Sequence, residues 1–300
     1  MSAVHAIQPR QRDLALAFAA FAIAVVLWQV EGLSLLTYPL RLFVTLIHEL
    51  SHGLAAILTG GTFLRFEVGQ HGAGLAYTRG GSPFVILQAG YLGTALFGAG
   101  LLLLTHLSRR PGPIAIGLGA LIGLLSALFS GLRPGHLAPV ELVVALGVLA
   151  AAIALILTRD SGNGRSAGFG LAALGGLLLV VFAGTENSLR TLAVGVASGL
   201  ALGLLGWRGR RDVVLVVLYF LAFLTGLQAL TDAWALLKIV STPRALMPMN
   251  DAQLMASAYG GPASLWAAMW IALDLLIFGG AIYLAFVRER RKQRRAAKGR

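Results

Sequence analysis

The sequence has no cysteine. Disulfides and thiolate metal sites are therefore excluded, and any metal must be held by His, Asp, Glu or water. Charge is also scarce: 12% of the 300 residues are charged, about half the fraction usual in a soluble domain. That shortage argues against a soluble α-helical protein. Strict polar–apolar alternation is missing too, which argues against a β-barrel. The first apolar run follows Arg10 and Arg12 and continues into Trp28 and Glu31 without a small-residue cleavage site, so no cleavable signal peptide is expected. Outside the apolar runs, no stretch has room for a soluble domain.

What the sequence does have is apolar residues, 57% of the chain. They sit in runs of about 20, the length an α-helix needs to cross a bilayer. Nine segments are expected, at roughly 13–31, 36–58, 84–107, 113–130, 138–157, 168–184, 189–206, 212–237 and 263–287. The expected fold is an all-α polytopic membrane protein with about 8–9 transmembrane helices. Residues 1–287 read as one integral domain and 288–300 as a basic tail. Between 59 and 83 lie Gly60, Gly61, Gly69, Gly72, Gly74, Gly80 and Gly81, separating the strand-like stretches 63–68 and 75–78. That pattern predicts a small β-hairpin at the membrane surface. Gly195, Gly199 and Gly203 recur at a spacing of four, which reads as a helix-packing face.

The net charge of +12 does not point to nucleic acid, because eight basic residues lie in the last thirteen positions, directly after an apolar segment. Such a tail reads as a cytoplasmic anchor in contact with anionic lipid. Strict alternation then puts the basic connections 108–112, 158–167 and 208–211 on the cytoplasmic side as well. It also puts the N-terminus on the outer face, against the sign of Arg10 and Arg12; either that is so or the segment count is off by one. The expected location is a bacterial cytoplasmic (inner) membrane.

The chemistry lies in His48-Glu49-Leu50-Ser51-His52, about halfway along the apolar segment 36–58. His residues at i and i+4 project from one helix face, one turn apart, so both imidazoles can reach one metal ion. The Glu after the first His lies beside a metal-held water and can take its proton. Two His and a Glu in a bilayer are costly, and such residues usually mark function.

A catalytic zinc takes three protein ligands and a water. Candidates for the third are Glu141, Asp232, Asp251 and Asp274. Asp232 is favoured on depth: it lies about five residues before the end of its segment and His52 about six before the end of a segment running the same way. Asp251 is the alternative. His5, His71, His106 and His136 are isolated and read as solvated or packed side chains.

The stretch Leu46–Gly61, with the glycine-rich hairpin after it and Ala89-Gly90-Tyr91-Leu92-Gly93 opening the next helix, resembles the site-2 protease family of intramembrane zinc metallopeptidases, in its M50B-like branch. Asp232-Ala233, Asn250-Asp251-Ala252 and the later Trp266 and Trp270 resemble that branch more loosely. The resemblance implies zinc on His48 and His52, Glu49 as catalytic base, and cleavage of a membrane-protein substrate within the bilayer. Two departures stand out. The Leu-Asp-Gly signature that supplies the usual third ligand is missing, and a PDZ-type substrate-reading domain has no room. Two other readings compete with the peptidase: a membrane transporter for a divalent metal or protons, and a catalytically silent scaffold that keeps the motif.

Overall fold

The computed structural model describes residues 9–29, 34–131, 187–240 and 250–288. They form α1 (Pro9–Gln29), α2 (Ser34–Leu58), β1 (Thr62–Val68), β2 (Gly74–Arg79), α3 (Pro83–Leu107), α4 (Pro111–Phe129), α5 (Asn187–Arg208), α6 (Arg211–Val240), α7 (Asp251–Tyr259) and α8 (Ala263–Ile282). A π-helical turn, Tyr283–Arg288, ends α8. Six of the described helices are long and apolar enough to cross a membrane: Thr37–Leu58, Pro83–Leu107, Pro111–Phe129, Asn187–Arg208, Arg211–Ile239 and Ala263–Arg288. The protein is a mostly helical membrane protein with one small antiparallel sheet. The expected segments 138–157 and 168–184, the candidate ligand Glu141, His5, His136 and most of the basic tail lie outside the described residues.

The chain divides into two compact units. The first, the hairpin unit, comprises Ser34–Gly93 and the described part of Ala115–Trp207. Its α2 ends at Gly60, whose φ of 82° suits glycine, and the Gly61 N–H donates to the Ala56 carbonyl to close the last turn. The chain then enters the hairpin, where Thr62 pairs with Arg79, Phe66 with Ala76 and Val68 with Gly74, with an irregularity between Phe63 and Arg65. The turn closes through Gly69 N–H to Ala73 O, with Gly72 at φ 83°.

Burial explains why the hairpin stays on α2. Phe63, Phe66 and Val68 turn one face of β1 inward. The Phe63 ring sits on Gly53, where any Cβ would collide with it, and stacks on Phe129 of α4 at 4.4 Å. At the other end, Tyr38 Oη donates to Gln70 O (2.9 Å) and Thr45 Oγ1 to Gly72 O (2.7 Å). The strands bear out the expected positions, but the hairpin lies along α2 for much of its length. In this unit Gly199 packs on the Gly119 carbonyl and Gly123, and Gly195 on Ser126. The glycine stripe is a packing face, as its spacing predicts: Gly199 and the backbone nitrogen of Gly203 both lie against Gly119, although a side chain at Gly203 would find open space.

The second unit comprises the described parts of Met1–Leu33 and Arg208–Arg300 with Thr94–Ile114. Gly98 of α3 lets the backbone of α6 approach at Ala222 and Gly226, while Phe278 of α8 lies over Gly226 from another side. Phe223 makes edge contacts with Phe21 of α1 and Phe278 of α8. At one end of this unit two ion pairs cross: Arg12 with Asp212, and Arg211 with Asp13 in a two-pronged contact at 2.8 Å. Near the same end, His106 of α3 meets Tyr219 of α6 and Phe286 of the closing π turn.

These contacts correct the sidedness drawn from alternation. The start of α1 lies beside the start of α6, so the N-terminal end shares a face with the 208–211 connection instead of opposing it. The ion pairs report proximity directly, and they reunite Arg12 with the basic end its charge favours.

Candidate metal centre

The site is built on one face of α2. Its helical turn sets His48 and His52 side by side, with ring centroids 4.9 Å apart and the planes nearly perpendicular. Helix α3 closes over this face. His52 Nδ1 lies 2.6 Å from the Ile86 carbonyl. A carbonyl only accepts, so Nδ1 carries the proton and the Nε2 lone pair is left for a metal. The Tyr91 ring meets His48 edge-on at 4.8 Å and limits the rotation of that imidazole. His52 and Glu49 are buried, at 6% and 5% exposure, and His48 is half-buried.

Gly90 shows where the two imidazoles point. A Cβ built there would collide with Nε2 of His48 and Nε2 of His52 together. Both nitrogens therefore converge on one small volume that exists because residue 90 has no side chain. Two neutral imidazole nitrogens aimed at a shared cradle fit a divalent ion of zinc's kind. Gly93, one turn on, makes room for Ser51 in the same way. The Ala89–Gly93 motif thus has a physical reason: α3 must approach α2 closely without filling the space at the Nε2 atoms.

Glu49 faces the hairpin. A Cβ on Gly74 would overlap Glu49 Oε1, so the first residue of β2 lies directly against the carboxylate. The motif thus places its general-base candidate between the helix and an extended strand. That is the arrangement needed if a peptide bond is to be laid beside it.

Asp232, Asp251 and Asp274 belong to the other unit. Asp232 accepts a hydrogen bond from Gln228 one turn earlier on α6, at 2.7 Å. Asp251 is the first residue of α7. Asn250 before it forms the capping box with Gln253, at 3.0 Å in both directions. Asp274 is fully buried on the α8 face that includes Trp270 and Phe278. His71 is exposed in the hairpin turn, and His106 lies against Tyr219.

Several residues that shape this site were not singled out as site residues from sequence: Gly74, the Ile86 carbonyl, Gly90 and Tyr91. Gly90 and Tyr91 stood inside a noticed motif. The Ile86 carbonyl is backbone and leaves no signal in a sequence.

No curated protein and no solved structure matches the chain. The model of one family, described as Peptidase M50B-like, matches residues 16–162 and 139–281. Between them these stretches take in the motif helix, the hairpin, Asp232 and Asp251, and with a match of that extent the chain belongs to the Peptidase M50B-like family.

Proposed function

We propose that the protein is a zinc-dependent endopeptidase that cuts membrane-protein substrates within the bilayer, with Glu49 as general base. The observation that carries this reading is the convergence of both imidazole Nε2 atoms beside Gly90, with the Glu49 carboxylate next to an extended strand. His48 and His52 would hold the ion. The third ligand is Asp251 or Asp232.

Zinc, when bound, supplies Lewis-acid chemistry that brings the pKa of a water toward neutrality. The chain's own residues do the rest. The Ile86 carbonyl fixes the His52 tautomer. Glu49 takes a proton from the attacking water and passes it to the leaving amide nitrogen. Burial of Glu49 excludes competing bulk water and strengthens its interactions.

The substrate would be read as a strand. Gly69 and Ala73 share a ladder hydrogen bond, so by antiparallel alternation the backbone groups of Gly74 and Ala76 turn away from β1. They offer an edge to an unwound substrate segment by strand addition. The Arg-rich end of the second unit, with Arg12 and Arg211, would face the cytoplasm together with the tail, in a bacterial inner membrane.

The test is cleavage of a quenched-fluorescent single-span peptide, its apolar span broken by Gly-Pro, by the full chain in vesicles. Wild type should cut it, and Glu49→Gln should not while keeping its zinc. Zinc-loaded wild type with no cleavage contradicts the reading and leaves the metal-transport or scaffold alternatives. Zinc content of Asp251→Asn against Asp232→Asn identifies the third ligand.

A further inference from the structure

We infer that Arg190 and Thr191, at the start of α5, are positioning residues that hold the hairpin's edge strand against Glu49. This deepens the proteolytic reading and rests on it.

The two residues grip both backbone groups of one strand residue. Val68 N–H donates to Thr191 Oγ1 at 2.7 Å, and Arg190 Nη1 donates to Val68 O at 3.3 Å. Thr191 Oγ1 in turn donates to the Asn187 carbonyl at 2.7 Å, so its lone pairs are aimed at the strand. Asn187 Oδ1 accepts from Arg190 at 2.9 Å, and the Asn187 amide reaches Glu67 at 3.4 Å. Glu67 then pairs with Arg65 at 3.0 Å, whose guanidinium lies over the Tyr77 ring.

Arg190 is 2% exposed, and its Nε has no hydrogen-bond partner among the described residues. Burying a guanidinium with one donor unsatisfied is costly, and an apolar side chain would fill that place at lower cost. What an apolar residue cannot do is take the Val68 carbonyl. The link from there to the chemistry is short. Val68 is the register partner of Gly74, and Gly74 lies against Glu49 Oε1. A shift of Val68 is a shift of the strand that faces the base. The clasp also closes the outer edge of β1 at Val68, which leaves β2 as the edge an incoming strand can join. Tyr38 and Thr45 of α2 hold the turn, so the hairpin is fixed at its tip and along one side.

The experiment compares Thr191→Val, which keeps shape and removes the hydroxyl, with Thr191→Ser, Arg190→Met and wild type. All are full-length chains in vesicles with the Gly-Pro single-span peptide. Thr191→Val should lower kcat about tenfold with KM and zinc content unchanged, since small misplacement at a catalytic group is felt in rate. Thr191→Ser should restore wild-type kcat. Arg190→Met should lower kcat at least as much. Wild-type kcat in both Thr191→Val and Arg190→Met overturns the inference, and so does loss of zinc in Thr191→Val, which would mark a general structural role. If wild type itself does not cleave, the proteolytic reading fails separately, and amide exchange across residues 62–79 decides the clasp. Faster exchange in Thr191→Val, reversed in Thr191→Ser, supports it; unchanged exchange overturns it.

Discussion

Both units use glycine for packing, as Gly199 on Gly119 does in the hairpin unit, but the hairpin unit also uses it beside the motif. In the hairpin unit, Gly90 leaves space at two imidazole nitrogens and Gly74 leaves space at a carboxylate. In the other, Gly98 leaves space for the backbone of α6 and Gly226 for the Phe278 ring. The first pair makes room for polar atoms that act; the second makes room for apolar packing that holds helices together. The polar contacts divide the same way. In the hairpin unit they reach strand backbone beside the motif, as with Thr45, Thr191 and Arg190. In the other unit the ion pairs sit at one helix end, away from the apolar contacts of Phe223 and Phe278. The hairpin unit adds to ordinary helix packing a set of polar contacts around the motif.

Substitutions break or sharpen that comparison, and their effects should fall in order. Glu49→Gln should cost about 10³-fold or more in kcat, the scale of a lost general base, with zinc retained. Gly90→Ala should displace both imidazoles, remove most of the zinc and lower cleavage by roughly 10²-fold, the scale of a misplaced catalytic group; metal analysis and the peptide assay check both. Gly226→Ala is the matched control in the other unit. It should lower stability by about 1–3 kcal/mol through overpacking against Phe278, seen as an earlier thermal transition, with full zinc occupancy. If Gly226→Ala also strips zinc, the division of labour is wrong. Arg211→Ala, which opens one ion pair at the helix ends, should cost only about 0.2–1 kcal/mol, read from the same thermal transition, with cleavage unchanged.

Much of this was legible in the sequence, because the strongest signals were local. Helix spacing put His48 and His52 on one face, and the Gly-rich punctuation placed both strands of the hairpin within a residue or two. Apolar length gave the six described helices long enough to cross a membrane. What the sequence did not reveal depended on contacts between distant segments. The grip of Thr191 on Val68 joins residues 123 positions apart, and nothing near either residue announces it. Arg190 was the one available clue, a charge at the head of an apolar segment where charge is expensive. The side of the N-terminus stayed open for a related reason. Alternation counts crossings along the chain, whereas the crossed ion pairs of Arg12 with Asp212 and Arg211 with Asp13 are set by packing.

The central claim is that the α2 face beneath Gly90 is a metal centre. Zinc content of the purified full-length chain tests it most directly, wild type against His48→Ala. The account predicts close to one zinc per wild-type chain and almost none in the variant. Equal zinc in both, or none in wild type after incubation with zinc, would contradict it.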